Sequence, residues 1–235
     1  MCNLTKSVKR NQMAMELGPG YEIVDYEERD VVNAFDKPAM QVILSAEPKK
    51  VLPWRWDFTP PGGEAARLAT RHARNEGMFE SRLYGDSARE RRCIVLVQGF
   101  YEFGPAAKGK KTKTPFYIDR LDGGMMAMGG IWKDWGVIGG APYQSMAIVT
   151  TPANELLTDI IQIEPRMTYH LERNGWDKWL DPATPVDEVK RMIRVCPNEW
   201  LKAMELEVSP LAKPKAVSAA AEKTTAPKVE PGSLF

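Results

Sequence analysis

A chain of 235 residues, 43% of them apolar and carrying a net charge of +1, is long enough for one globular domain with a substantial core. Its near-neutral balance excludes a polycationic nucleic-acid coat, and no apolar run approaches the roughly 20 residues that span a bilayer. Three cysteines, Cys2, Cys93 and Cys196, are too few and too dispersed for a disulfide framework or a zinc site, so neither metal nor cofactor is expected.

The first ten residues, MCNLTKSVKR, lack the apolar region of a secretory signal, and the expectation is a soluble, monomeric, cytoplasmic protein. Propensity alone makes 64–76 helical. Further on, strands dominate: Cys93–Gln98, Phe100–Phe103, Pro115–Asp119, Met125–Trp132 and Tyr143–Thr151 are short β-rich runs, and Arg166–Leu171 alternates weakly. Gly123-Gly124 and Gly139-Gly140 read as hairpin turns between them. A short helix over Gly175–Leu180 puts Trp176 and Trp179 on one face, where core packing is the expected role. Thr184-Pro185 reads as an N-cap followed by proline at the first helical position, opening a helix to about Arg194. The sum is an α+β domain over residues 1–210 with a largely antiparallel, barrel-like sheet and a few flanking helices. Residues 211–235, rich in Ala, Lys, Thr and Pro, read as a flexible linker.

Charge is unevenly spread. From Arg55 to Arg120 there are thirteen Lys/Arg against eight Asp/Glu, an excess that suits a phosphate backbone and equally suits solvated surface. Cys93, within the run Cys93-Ile94-Val95-Leu96-Val97, and Cys196, before Pro197, read as buried structural thiols.

Cys2 differs by position. Removal of Met1 would leave a chain beginning with an α-amine and a thiol on adjacent carbons. An α-amine titrates roughly 2.5 units below lysine, so its neutral form is about 300-fold more abundant near neutral pH. Such an amine forms a Schiff base with an aldehyde, and the neighbouring thiol can close a thiazolidine ring. A ring-opened abasic site in DNA is such an aldehyde. By itself, a Met-Cys start is no more than an accident of the start codon.

The segment Arg91-Arg92-Cys93-Ile94-Val95-Leu96-Val97-Gln98-Gly99-Phe100-Tyr101-Glu102-Phe103 resembles the R-R-C-L-V-P-A-x-G-F-Y-E-W stretch of the SOS-response-associated peptidase (SRAP) family. Arg55-Trp56 is similar to the family's R-W-G, with Asp57 in place of glycine. His72-Ala73-Arg74-Asn75-Glu76 is similar to N-A-R-A-E, Ile148–Asn154 to I-L-T-T-x-A-N, and Ile163-Glu164-Pro165-Arg166-Met167 to I-H-x-R-M. Trp176–Leu180 and Val208-Ser209 match later landmarks, so the resemblance spans residues 2–209 of a divergent member.

The resemblance implies covalent capture of abasic sites in single-stranded DNA, with Cys2 and Glu102 as catalytic residues and Arg55, Arg74 and Arg166 toward phosphate. It also implies an extended cleft-lining segment around His72, against the helical propensity there, with an exposed Trp54 or Trp56 available to stack a base, although for either tryptophan alone core packing is the expected role. His72 stands at the family's asparagine, Glu164 at its histidine, and Asn3-Leu4 at its Gly-Arg. His72 and Glu164 are therefore expected to face each other as an acid/base pair beside Cys2, with His170 as a rival for the imidazole. Two other functions stay open: a noncovalent DNA-binding module with a decayed site, and a thiol autopeptidase using Cys2. The terminal Leu234-Phe235 resembles the end of short peptides that dock on sliding clamps.

Overall fold

The computed structural model describes residues 2–62 and 70–212. The helical propensity over 64–69 and the expected clamp-docking pair Leu234 and Phe235 lie outside these residues. In chain order the elements are β1 (Leu4–Lys6), α1 (Arg10–Leu17), β2 (Glu22–Ile23), β3 (Val32–Asn33), β4 (Ala39–Leu44), β5 (Glu47–Trp56) and β6 (His72–Arg74). There follow α2 (Gly85–Glu90), β7 (Arg92–Val97), β8 (Gly99–Ala106), β9 (Lys113–Arg120), β10 (Met126–Ile138), β11 (Ala141–Pro152) and α3 (Glu155–Ile160). The remainder is β12 (Arg166–Thr168), α4 (Trp176–Leu180), α5 (Val186–Met192) and β13 (Leu201–Glu205).

Two sheets result. One is five-stranded in the order β13-β9-β8-β1-β3. The other runs β12-β11-β10-β7-β4-β5-β2, and a parallel pairing of β11 with β5 closes β11, β10, β7, β4 and β5 into a ring. The expected α+β fold with a barrel-like, mostly antiparallel sheet is what forms.

The ring stands between two cores, and side-chain alternation on its strands explains why. Successive strand residues point to opposite faces. On β7, Ile94 and Leu96 join one buried cluster, while Cys93, Val95 and Val97 join the other. The same split runs along β11, with Ala147 and Val149 on one side and Met146 and Ile148 on the other. A continuous apolar run is thus what a strand buried on both faces requires. Trp176 and Trp179 pack into the first cluster, and Cys2 belongs to the second.

Several local expectations change. Gly139 and Gly140, at φ 58° and 85°, make a two-residue hairpin turn joining Ile138 to Ala141, the backbone that glycine permits without steric cost. Gly123-Gly124 makes no hairpin: β9 pairs with β8 and β13, whereas β10 pairs with β7 and β11, so this turn carries the chain from one sheet to the other. Thr184 does not cap α5; its hydroxyl donates to the Lys178 carbonyl, and Pro185 holds the cap position. The strand expected over Arg166–Leu171 ends at Thr168, after which His170 makes only an isolated bridge with Met128.

Arg92, fully buried, ties this frame together. Its guanidinium donates to the carbonyls of Ala88 and Arg89 at the end of α2, and to those of Trp179 and Asp181 at the end of α4. Carbonyls at a helix C-terminus lack intrahelical donors, and a cation there also opposes the helix dipole. Replacing Arg92 by methionine orphans these buried acceptors. The expected loss is about 3 kcal/mol or more, read as a fall of about 10 °C in Tm by calorimetry.

Candidate active site

The site forms where the chain's start meets the middle of the SRAP-like motif. β1 lies antiparallel to β8, with Leu4 opposite Tyr101 and Thr5 opposite Phe100. The same register carried one residue back sets Asn3 opposite Glu102. From the other side the Ala34 N–H donates to the Asn3 carbonyl at 2.9 Å, so the first residues are held between β3 and β8.

Cys2 is 1% exposed and Glu102 6% exposed. The Cys2 Sγ–H donates to the Leu4 carbonyl at 3.4 Å. Burial, reinforced by the Glu102 charge, pushes the thiol pKa well above its ordinary value, so the sulfur carries its proton at neutral pH. Burial also raises Glu102 to about 7, against the opposing pull of the Phe103 N–H and Lys113. At neutral pH this carboxyl therefore exists in both protonation states, as a group that both gives and takes protons must.

His72 reaches the same place from β6, which docks parallel on β11 with His72 beside Ile148 and Arg74 beside Thr150. The extended backbone at His72–Arg74 is the form the resemblance implied. The His72 Nε2 lies 2.8 Å from the Cys2 carbonyl oxygen. A carbonyl can only accept, so Nε2 carries the hydrogen and donates. Burial lowers the imidazole pKa to about 3, leaving a neutral ring that holds Cys2 in place. Two neighbours fix the backbone around it: Trp56 Nε1–H donates to the Arg71 carbonyl, and the Tyr84 hydroxyl donates to the Thr70 and His72 carbonyls.

The expected pairing of His72 with Glu164 is not made. Glu164 turns outward at φ 45°, immediately before Pro165, and its carboxylate meets Arg74 at 3.5 Å. His170 packs against Phe100 and Thr168 and lines a separate cavity with Arg120, Met126 and Trp200. The tryptophans take the core-packing role expected of either alone, and their burial leaves no face for stacking. Trp54, 5% exposed, packs edge-on against Trp132, and Trp56 is fully buried against His72.

Of the expected cations, Arg74 is half-exposed at the rim. Arg55 binds Asp57 at 3.2 Å and lies over the Tyr143 ring. Arg166, only 11% exposed, makes two 2.9 Å bonds to Glu76 and donates to the Thr150 carbonyl, so it braces β12 against the Arg74–Glu76 turn.

Asp57 is a further positioning residue. It accepts from Thr59 and Thr70 and pairs with Lys37 and Arg55. Burial pushes its carboxyl up, but the bonds from Thr59, Lys37 and Thr70 outweigh this and hold it below the usual range. The short Asp57-Phe58-Thr59 spacing was the available signal. Among the described residues no cluster of three His, Cys, Asp or Glu could hold a metal ion, and no helix is long and apolar enough to cross a membrane.

The chain is similar to known proteins in both sequence and fold. The abasic site processing protein YoqW of Bacillus subtilis is 29% identical over 155 residues, covering 65% of this chain and 67% of that protein. The abasic site processing protein HMCES of Gallus gallus is 28% identical over 171 residues, covering 61% of this chain and 49% of the relative. A crystal structure of a Bacteroides thetaiotaomicron protein superposes with a TM-score of 0.78 at 25% identity, over 87% of this chain and 92% of that one. A Bordetella bronchiseptica protein at 21% identity, with a TM-score of 0.74 over 88% of this chain and 100% of its own, shares the fold. Residues 1–211 match the family SOS response associated peptidase (SRAP), and the chain belongs to that family.

Proposed function

We propose that this protein captures abasic sites in single-stranded DNA covalently through Cys2, in a chain from which Met1 has been removed. The reading is supported above all by the convergence of Cys2 and Glu102, a hundred positions apart, as buried residues where the chain's start pairs with β8.

The amine of Cys2 attacks the aldehyde carbon of the ring-opened sugar. The resulting hydroxyl leaves as water with a proton from the Glu102 carboxyl, and the carboxylate takes back the remaining proton on nitrogen, giving an imine. The thiol then adds to the imine carbon, its proton passing to nitrogen, and a thiazolidine forms with one water released overall. His72 orients Cys2 through its carbonyl throughout. Because the residues that follow Cys2 are held between β3 and β8, an extruded sugar reaches its amine more readily than a stacked one. Arg74 and Arg55 serve the phosphates beside it.

A protonated thiol argues for this amine-first order over a thiolate peptidase. A cysteine peptidase needs an imidazole at the sulfur, and the His72 Nε2 is committed to the Cys2 carbonyl instead. The test is a denaturing gel after incubation with an abasic oligonucleotide, and with the same oligonucleotide reduced to the sugar alcohol. A covalent band with the aldehyde alone supports the reading; no band, or bands with both, overturns it.

A further inference from the structure

Two arginine–glutamate contacts lie side by side at the rim of the site, and they differ in kind. Arg166 and Glu76 are joined by two 2.9 Å bonds, with the arginine 11% exposed and also held by the Thr150 carbonyl. Arg74 and Glu164 meet through one 3.5 Å contact, with the side chains 56% and 79% exposed. The first is a brace. The second has the weakness of a solvated ion pair, which a competing anion readily displaces.

The backbone places Glu164 deliberately. Its φ of 45° is uncommon for a residue with a side chain, and it is followed by Pro165 and the braced Arg166. The main chain is therefore anchored within two residues while the carboxylate points outward at Arg74. Arg74 itself is fixed by the pairing of β6 with β11, two residues from the imidazole that holds Cys2.

We infer that the Glu164 carboxylate is an internal stand-in for a DNA phosphate on Arg74, and that Glu164 thereby sets how tightly single-stranded DNA is held at the site. The inference rests on Arg74 as a phosphate contact. When a strand arrives, Arg74 exchanges one anion for another, so its net gain is the difference between the two. The carboxylate also takes the place of the small anion that a bare arginine would hold and release, and it leaves Arg74 with less net charge to offer a phosphate. Binding then releases fewer counterions than the number of phosphates contacted implies.

The experiment measures affinity for an undamaged single-stranded oligonucleotide by fluorescence anisotropy across a salt series, for wild type, Glu164→Gln, Arg74→Gln and the double variant. Glutamine keeps the size of the side chain and its backbone preference, so folding is preserved. The expected result is about 2–5-fold tighter binding for Glu164→Gln at low salt, the range of one exposed ion pair. The dependence of log affinity on log salt steepens by up to about 0.7, the share of one phosphate on a single strand. Arg74→Gln weakens binding, and in its background the gain from Glu164→Gln falls away. Unchanged or weaker binding by Glu164→Gln overturns the inference, as does the same gain with and without Arg74, which would mark general repulsion. If Arg74→Gln leaves affinity unaltered, the premise about Arg74 fails instead, and the covalent reading of Cys2 is tested separately.

Discussion

Replacing Cys2 by serine leaves an amine that still captures the aldehyde but cannot lock it. Serine keeps the α-amine, and its hydroxyl can donate to the Leu4 carbonyl as the thiol does. The imine therefore forms, but ring closure by sulfur is lost. An intramolecular nucleophile held in place acts at an effective concentration on the order of 10⁵ M or more, so its loss is severe. The band that survives denaturation is expected to fall by about 100-fold or more. Addition of borohydride during the reaction restores it, because reduction traps the imine. A serine variant giving a stable band without reductant would show that the thiol is dispensable.

Glu102→Gln is the second large effect. The glutamine amide preserves shape and hydrogen bonding but can neither give nor take the proton. Loss of general acid–base catalysis of this kind lowers the crosslinking rate by about 10²–10⁴-fold. The pH profile makes the test specific. With the Glu102 carboxyl raised by burial, wild type should show a bell-shaped rate. Below the maximum the amine is protonated, and above it the carboxyl has no proton for the departing hydroxyl. The falling limb disappears in Glu102→Gln, while the rising limb of the amine remains.

Stability follows the same carboxyl. A folded pKa above the unfolded value means that the folded state holds the proton more tightly. This contribution is fully present below the unfolded value of about 4.3 and is lost as pH rises through about 7. Denaturant melts of Glu102→Gln should accordingly be flatter across that window than those of wild type.

Much of this site could be read from residues before any geometry. Cys93–Val97 is apolar at every position, so a strand buried on both faces was legible, and the adjoining Gly99–Glu102 motif located the carboxyl. The tryptophans show where a residue's ordinary packing role outweighs the role a motif offers. Trp54 and Trp56 are two apart on β5 and must share a face, and both belong to the cluster that contains Cys2. Core packing was the expected role of each, and period-two spacing puts them inside together; the motif alone carries no facing.

The helices α1 and α3 were not legible, since each buries only two residues, Met13 and Leu17 in one, Leu157 and Ile160 in the other. Such short elements form because the sheets give them a surface, not from their own periodicity. The bond from His72 to the Cys2 carbonyl joins residues 70 positions apart and depends on β6 and β1 docking on different strands. No local pattern encodes that. The motif placed His72 near the site, and only the folded chain shows its Nε2 meeting the Cys2 carbonyl.

The most direct test of the account is intact mass spectrometry of the purified protein before and after reaction with an abasic oligonucleotide. The account predicts a chain lacking Met1 and an adduct equal to protein plus oligonucleotide less one water, with fragmentation placing the modification on Cys2. An adduct on a chain that retains Met1, or one mapped to a lysine, would contradict it.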